Sequence, residues 1–174
     1  TGRLQDKVAI VTGAGSIGPG WGNGKAVAVL YAREGAQVLA IDMNQAAAEE
    51  TAEIILGEGG QATACQADVT ASAQVQAAIQ QCQQVYGRID ILHNNVGVSV
   101  EGGDAPLNDV TTDAFDRIMD INLLGTMLTC KHVLPIMRDQ GDGAIVNISS
   151  ASAYWTGHPT VLYPASKMAM ISFT

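Results

Sequence analysis

Thr12-Gly13-Ala14-Gly15-Ser16-Ile17-Gly18-Pro19-Gly20-Trp21-Gly22-Asn23-Gly24-Lys25-Ala26 is the stretch on which the fold turns. Before it, the apolar, β-branched run Lys7 to Thr12 reads as a strand; after it, Lys25 to Glu34 reads as a helix closed by Gly35. Strand, glycines and helix in that order form a cradle for a pyrophosphate. Glycines let the backbone approach the anion, and the helix start offers unpaired N–H groups and a partial positive charge. Gly13, Gly15 and Gly18 alone satisfy G-x-G-x-x-G, a weak pattern in so glycine-rich a segment. Pro19, Gly20, Gly22 and Gly24 disfavour a helix interior, so the helix is expected to begin near Gly22–Asn23 rather than near Ser16. The loop then carries ~5 residues, Ile17 to Trp21, beyond the ordinary length of the motif. Trp21 is expected to be a buried packing aromatic, the alternative being a lid or anchor over the phosphates.

The same alternation continues along the chain. Strands are expected at Gln37–Ile41, Gln61–Ala67, Ile89–His93 and Gly143–Ile148. Helices are expected at Gln45–Gly57, at Ala71–Tyr86 ended by Gly87, as one long helix Thr112–Met137 with Pro135 in its last turn, and from near Val161 onward. Loops rich in turn formers run from Gly97 to Val110 and around Tyr154, Trp155, Gly157 and Pro159. This order implies an α/β fold, a doubly wound parallel sheet with helices on both faces in three layers. No repeat or linker divides residues 1–174, so a single dinucleotide-binding domain is expected.

Composition narrows the function. Of 174 residues, 47% are apolar and 15% charged, with a net charge of −8. A basic surface for nucleic acid or for anionic lipid is not offered. Apolar runs such as Val8–Val11 and Ile121–Leu124 fall far short of the ~20 residues of a bilayer span. The first seven residues lack the apolar core of a signal peptide. Cys65, Cys82 and Cys130 form no metal or disulfide spacing and read as reduced thiols of a cytoplasmic protein.

Asp42 follows the second strand, 29 residues past Gly13. An acidic residue ~20 residues beyond the fingerprint accepts hydrogen bonds from the adenosine ribose hydroxyls. Its charge repels a 2′-phosphate, so NAD is expected over NADP. The competing reading is a turn aspartate capping the next helix.

With these landmarks the chain resembles the short-chain dehydrogenase/reductase family. The family's T-G-x-x-x-G-x-G loop is matched by Thr12-Gly13 and, after the insertion, Gly22-Asn23-Gly24. Its adenine-side aspartate is matched by Asp68 in Ala67-Asp68-Val69, and its N-N-A-G segment by Asn94-Asn95-Val96-Gly97. Its helix asparagine is matched by Asn122 in Ile121-Asn122-Leu123-Leu124-Gly125. Its serine, 13 residues before the tyrosine, falls on Ser150, and its Y-x-x-x-K is Tyr163-Pro164-Ala165-Ser166-Lys167. Val96 replaces the usual alanine, a modest gain in volume beside the cofactor. The candidate dinucleotide contacts are Gly13, Gly15, Ser16, Gly22, Asn23, Gly24, Asp42, Asp68, Val69, Asn95, Val96, Gly97, Tyr163 and Lys167.

The chemistry explains the pair. Hydride transfer between a carbinol carbon and nicotinamide requires a proton to leave or join the oxygen. A free tyrosine titrates near ~10, and a neighbouring ammonium favours the phenolate. Tyr163 and Lys167 stand at i and i+4, on one face of a helix. Taken alone such a pair is common on amphipathic helices. The resemblance adds that Lys167 binds the nicotinamide ribose and that Asn122 supports a water relaying protons to Lys167. Without it, Asn122 reads as an exposed or back-bonded asparagine. Ser150 follows the fifth strand at the carboxyl edge, where a hydroxyl steadies the substrate oxygen; the neighbouring Ser149 competes, and a plain turn serine is the bland alternative.

Asn95 is expected to fix strand and loop backbone. His93 is expected to be a satisfied core histidine, and with no ligand spacing around His132 or His158 no metal is expected. Tyr154, Trp155, His158 and Leu162 are candidates to line the substrate pocket or only to pack their loop.

The resemblance further implies that residues 1–174 lack the family's last strands and substrate-covering loop, as in a C-terminally truncated chain. It implies a homodimer or homotetramer joined through the long helix and the last helix. The expected activity is NAD-dependent oxidation of a small secondary alcohol or reduction of a ketone. The alternatives are a 3-oxoacyl thioester reductase, opposed by Asp42 and by the acidic charge, and a non-catalytic dinucleotide-binding protein.

Overall fold

The computed structural model describes residues 2–174. Its elements are β1 (Val8–Thr12), α1 (Asn23–Arg33), β2 (Gln37–Asp42), α2 (Gln45–Gly57), β3 (Gln61–Gln66), α3 (Ser72–Tyr86), β4 (Ile91–Asn94), α4 (Thr112–Met119), α5 (Gly125–Gln140), β5 (Ala144–Asn147) and α6 (Leu162–Phe173). The five strands form one parallel sheet in the order β3-β2-β1-β4-β5. Helices cover both faces, the three-layered doubly wound arrangement that the β/α alternation predicts.

Strand alternation divides the core in two. Val8, Ile10, Leu39, Ile41 and Leu92 face Val75, Ile79 and Cys82 of α3 and Cys130, Val133 and Met137 of α5. Ala9, Val11, Val38, Ala40 and Ile91 face Ala28 and Val29 of α1 and Ile55 of α2. β1, buried along its whole length, reads as an unbroken apolar run because both its faces are covered. A third cluster, Ala114, Ile118 and Leu162, packs α6 against α4. Cys65, Cys82 and Cys130 are free and buried. No helix among the described residues is long and apolar enough to cross a membrane.

Several expected boundaries move. β4 begins at Ile91 rather than Ile89, because Ile89 is held by Gln140 and Asp90 turns its carboxylate to the Val8 N–H at 2.8 Å. β3 stops at Gln66 and β5 spans only Ala144–Asn147. The expected long helix runs on past Pro135 to Gln140, where Gly141 in the left-handed conformation (φ 74°) ends it. Within it, Asp120–Leu124 widens into one π-helical turn between α4 and α5. Gly87 (φ 78°) ends α3, as its position predicts.

Candidate active site

The sheet order reverses between β1 and β4, whose outer neighbours are β2 and β5. In an open α/β sheet the crevice beyond the carboxyl ends at such a point receives ligands. Gly13 leaves β1 with φ 62°, and a Cβ there would lie 3.1 Å from Val96 Cγ2 and 3.2 Å from Asn95 Nδ2. Asn95 fastens the two strand ends: its amide donates to the Gly13 carbonyl at 3.1 Å, and its backbone N–H to the Thr12 hydroxyl at 3.3 Å. Gly24, in the first turn of α1, lies so close that a Cβ would overlap the Gly13 carbonyl oxygen.

α1 begins at Asn23, where the glycine spacing predicts it, and residues 17–20 form bends. The Ser16 hydroxyl ties this loop, donating to the Gly20 carbonyl at 3.1 Å and accepting from the Gly22 N–H at 2.8 Å. Gly22 at the cap position brings no side-chain oxygen, and the first turn holds no acidic residue. The N–H groups of that turn therefore have no side-chain acceptor. Trp21 is not the buried aromatic expected: it is 59% exposed, and Ile17 97%. A Cβ at Gly18 or Gly20 would meet no other atom within 4 Å, so this part of the loop stands in the open.

Asp42 is the last residue of β2. Its Oδ2 accepts from the Gly15 N–H and its Oδ1 from the Asn44 N–H, each at 2.9 Å. The carboxylate is thus fixed at the rim of the glycine loop, while Asn44, not Asp42, caps α2. Asp68 turns inward on its own loop, Oδ1 accepting from the N–H and hydroxyl of Thr70. Val69 packs on Gly125, where a Cβ would approach its Cγ2 to 2.7 Å.

α6 places Tyr163 and Lys167 on one face, with Lys167 Nζ 5.6 Å from the centre of the Tyr163 ring. Lys167 is buried, and Nζ donates to the Ile148 carbonyl just beyond β5 at 2.8 Å. Burial brings its ammonium down from the ordinary lysine value to about 8. Gly97 makes room for it, since a Cβ there would stand 2.9 Å from Nζ. Ser149 and Ser150 are distinguished by their bonds. The Ser149 hydroxyl is spent on the Lys167 carbonyl at 2.8 Å. Ser150 accepts from the Ser152 N–H at 3.2 Å and from the Ser152 hydroxyl at 2.9 Å, which leaves its own proton to donate.

Asn122 is neither exposed nor back-bonded. It is fully buried in the π turn, its Oδ1 accepting from the Val98 N–H at 2.8 Å. Its Nδ2 donates to the Val98 carbonyl and to the Ser166 hydroxyl, each at 2.9 Å. The side chain therefore binds the β4–α4 loop to α6. The extra residue of the π turn is what aims it there.

Two further polar groups lie at the end of β4. Buried Asn94 accepts from the Thr129 hydroxyl at 2.7 Å and donates to Asn147 Oδ1 at 2.9 Å, joining β4, β5 and α5. His93 is a core residue but not a satisfied one: Nδ1 pairs with the Tyr31 hydroxyl at 3.1 Å, while buried Nε2 has no partner among the described residues. Burial lowers its pKa. Tyr154 and Trp155 are exposed, and Trp155 stands edge-on to His158 with ring centres 5.2 Å apart.

A family model described as short chain dehydrogenase matches residues 7–174. The chain is 40% identical over 169 residues to the D-threitol dehydrogenase of Mycolicibacterium smegmatis, covering 97% of this chain and 62% of that protein. Among solved structures it is similar to a short-chain dehydrogenase/reductase from Burkholderia xenovorans, with TM-score 0.92, 46% identity, and coverage of 99% of this chain and 68% of that one. It is also similar to a 7α-hydroxysteroid dehydrogenase complexed with NADH and 7-oxo glycochenodeoxycholic acid, with TM-score 0.90, 34% identity, and coverage of 98% and 64%. The chain spans about three fifths of the length of the curated relatives it matches.

Proposed function

The chain belongs to the short-chain dehydrogenase family, and from that premise we propose that it transfers hydride between a nicotinamide dinucleotide and the carbinol carbon of a small secondary alcohol. The observation that carries this reading is buried Lys167, held at 2.8 Å by Ile148 and set beside the Tyr163 ring at the switch point of the sheet.

The residues present fit a dinucleotide. The uncapped start of α1 and the glycine at position 13, where a Cβ would crowd Val96 and Asn95, support a cradle for its pyrophosphate. Asp42, anchored by two backbone N–H groups, would accept from the adenosine ribose and repel a 2′-phosphate, which supports NAD. When bound, the nicotinamide supplies the acceptor or donor of hydride. In oxidation the carbinol hydrogen would leave with its bonding pair for the dinucleotide, and the Tyr163 oxygen would take the hydroxyl proton. The uncommitted Ser150 proton holds the substrate oxygen. Lys167 stands beside the phenol ring and would bind the nicotinamide-side ribose. Asn122 holds its helix turn and Val98 in place beside them.

A D-threitol dehydrogenase among the relatives supports a diol or sugar-like alcohol as substrate class. Three free buried thiols fit a reducing, cytoplasmic setting. Half-exposed Phe115, Met127 and Leu134 on α4–α5, with Met168 and Phe173 on α6, support a homo-oligomer joined across these helices.

The test is a screen of secondary alcohols and diols with NAD and NADP, alongside Tyr163→Phe. The substitution is expected to lower turnover about a hundredfold or more. Turnover that survives it unchanged rejects the reading.

A further inference from the structure

The β4–α4 loop contains a buried carboxylate outside the chemistry just described. Asp104 is 6% exposed. Its Oδ1 accepts from the Leu162 N–H at 2.9 Å and the Ala105 N–H at 3.0 Å. Its Oδ2 accepts from the Tyr163 N–H at 2.9 Å and the Ser99 hydroxyl at 3.4 Å. Leu162 and Tyr163 are the first two residues of α6, and the third, Pro164, has no N–H. Val161, at the cap position, has helical backbone angles and no side-chain oxygen. One carboxylate from 58 residues upstream therefore takes both N–H groups that the first three helical residues possess.

The loop presenting this carboxylate is itself fixed. Its backbone N–H donates to the Ser99 carbonyl at 3.1 Å. Gly103 precedes it at φ 96°, and at Gly102 a Cβ would press on Val98 and Ile118. Burial pushes the Asp104 carboxyl up, but the Thr160 hydroxyl and the N–H groups of Leu162, Tyr163 and Ala105 outweigh it and hold the group ionised.

We infer that Asp104 is a positioning residue that fixes, through the backbone of Tyr163, where the phenol stands relative to Lys167 and Ser150. The inference rests on the catalytic reading of those residues. Lys167 has its own anchor at Ile148, and Ser150 its own at Ser152. Tyr163 lies in the first turn of α6, where a helix without its cap frays. Loss of the carboxylate displaces the phenol and leaves the dinucleotide contacts of Lys167 and the glycine loop in place.

The test is Asp104→Ala and Asp104→Asn in the full chain, beside Tyr163→Phe and Thr111→Ala. Thr111 caps α4 by accepting from the Ala114 N–H at 3.1 Å, and so reports the cost of a lost cap away from the phenol. For the Asp104 variants kcat is expected to fall about tenfold or more. NADH affinity, read by fluorescence titration, is expected to stay within about twofold. Amide exchange at Leu162 and Tyr163 is expected to quicken. For Thr111→Ala the melting temperature falls and kcat holds. Asp104→Asn keeps one carbonyl oxygen for one N–H and serves if the alanine variant does not fold. A lowered melting temperature with unchanged kcat in both Asp104 variants, while Tyr163→Phe is inactive, overturns this inference alone. A harmless Tyr163→Phe overturns the catalytic reading and the inference with it.

Discussion

Two residues of the site have consequences that separate them from ordinary surface charges. Asp42 gives each of its oxygens to a backbone N–H, one on the glycine loop and one before α2. Its charge is therefore held at one point, which is how a carboxylate discriminates between a ribose hydroxyl and a phosphate. Asp42→Ala is expected to raise the ratio of kcat/KM with NADP to that with NAD by about tenfold or more. It should also cost about 1–2 kcal/mol, because two N–H groups lose their acceptor. Steady-state kinetics with both dinucleotides and denaturant unfolding check the two halves. Lys167 acts on stability in the opposite direction from most charged groups. Burial brings it to about 8, whereas an unfolded lysine titrates near ~10.4. Between these values the unfolded chain keeps a proton that the folded chain has released, so stability rises with pH across that window. The whole difference is on the order of 3 kcal/mol. Unfolding of the wild type against Lys167→Met, measured at pH 7 and pH 10.5, is expected to show the wild type gaining on the variant as pH rises.

At the scale of elements, the glycine loop and the π turn decide how closely parts approach. Gly24 lets α1 dock against the end of β1, where a Cβ would overlap the Gly13 carbonyl. Gly24→Ala is expected to weaken NADH binding at least about tenfold and to destabilise the fold by about 2 kcal/mol or more, since backbone rather than a flexible side chain must yield. Isothermal titration and thermal melting check it. Much of this scale is legible in the sequence. Gly87 marks the end of α3, and the cluster Pro19, Gly20 and Gly22 postpones α1 to Asn23, as helix propensity requires. The π turn is not legible, because apolar periodicity passes through a single added residue without a break. Asn122, a poor helix former in mid-helix, is its one local sign. The cap on α6 was equally hidden. Pro164 and an oxygen-free Val161 show that the helix lacks a local cap, but nothing linear points to Asp104. The unpartnered Nε2 of the core residue His93 and the exposure of Trp21 depart from expectation for a shared reason: burial and partner depend on which element lies opposite, and spacing does not report that.

For the molecule as a whole, the sheet has a polar lock at its amino end. Asp90 is buried, accepts from the Val8 N–H and is gripped by Arg88 at 2.6 Å, with Lys7 at 3.8 Å. Burial pushes its carboxyl up, but the Arg88 hydrogen bonds, the Val8 N–H and the charges of Arg88 and Lys7 outweigh it. A carboxyl held below its unfolded value near ~3.9 gives stability that is full above that pH and is lost as pH falls through the folded value. Asp90→Asn is expected to cost on the order of 2 kcal/mol at pH 7. Its difference from the wild type should shrink below pH 4, as acid-dependent unfolding curves will show. The global fold was the most legible feature, because the buried run of β1 and the strand–helix alternation admit few topologies.

The grip of Asp104 on the start of α6 also orders events in time. A chain made from its amino end completes β1, β2 and β3 early, and β4 adds on the far side of β1 afterwards. The last helix must wait for a carboxylate 58 residues behind it, already seated in a finished loop, before its first turn has an acceptor. Closing that span carries an entropic cost that contacts within the helix do not. The backbone of Tyr163 therefore gains its acceptor only once the β4–α4 loop is in place.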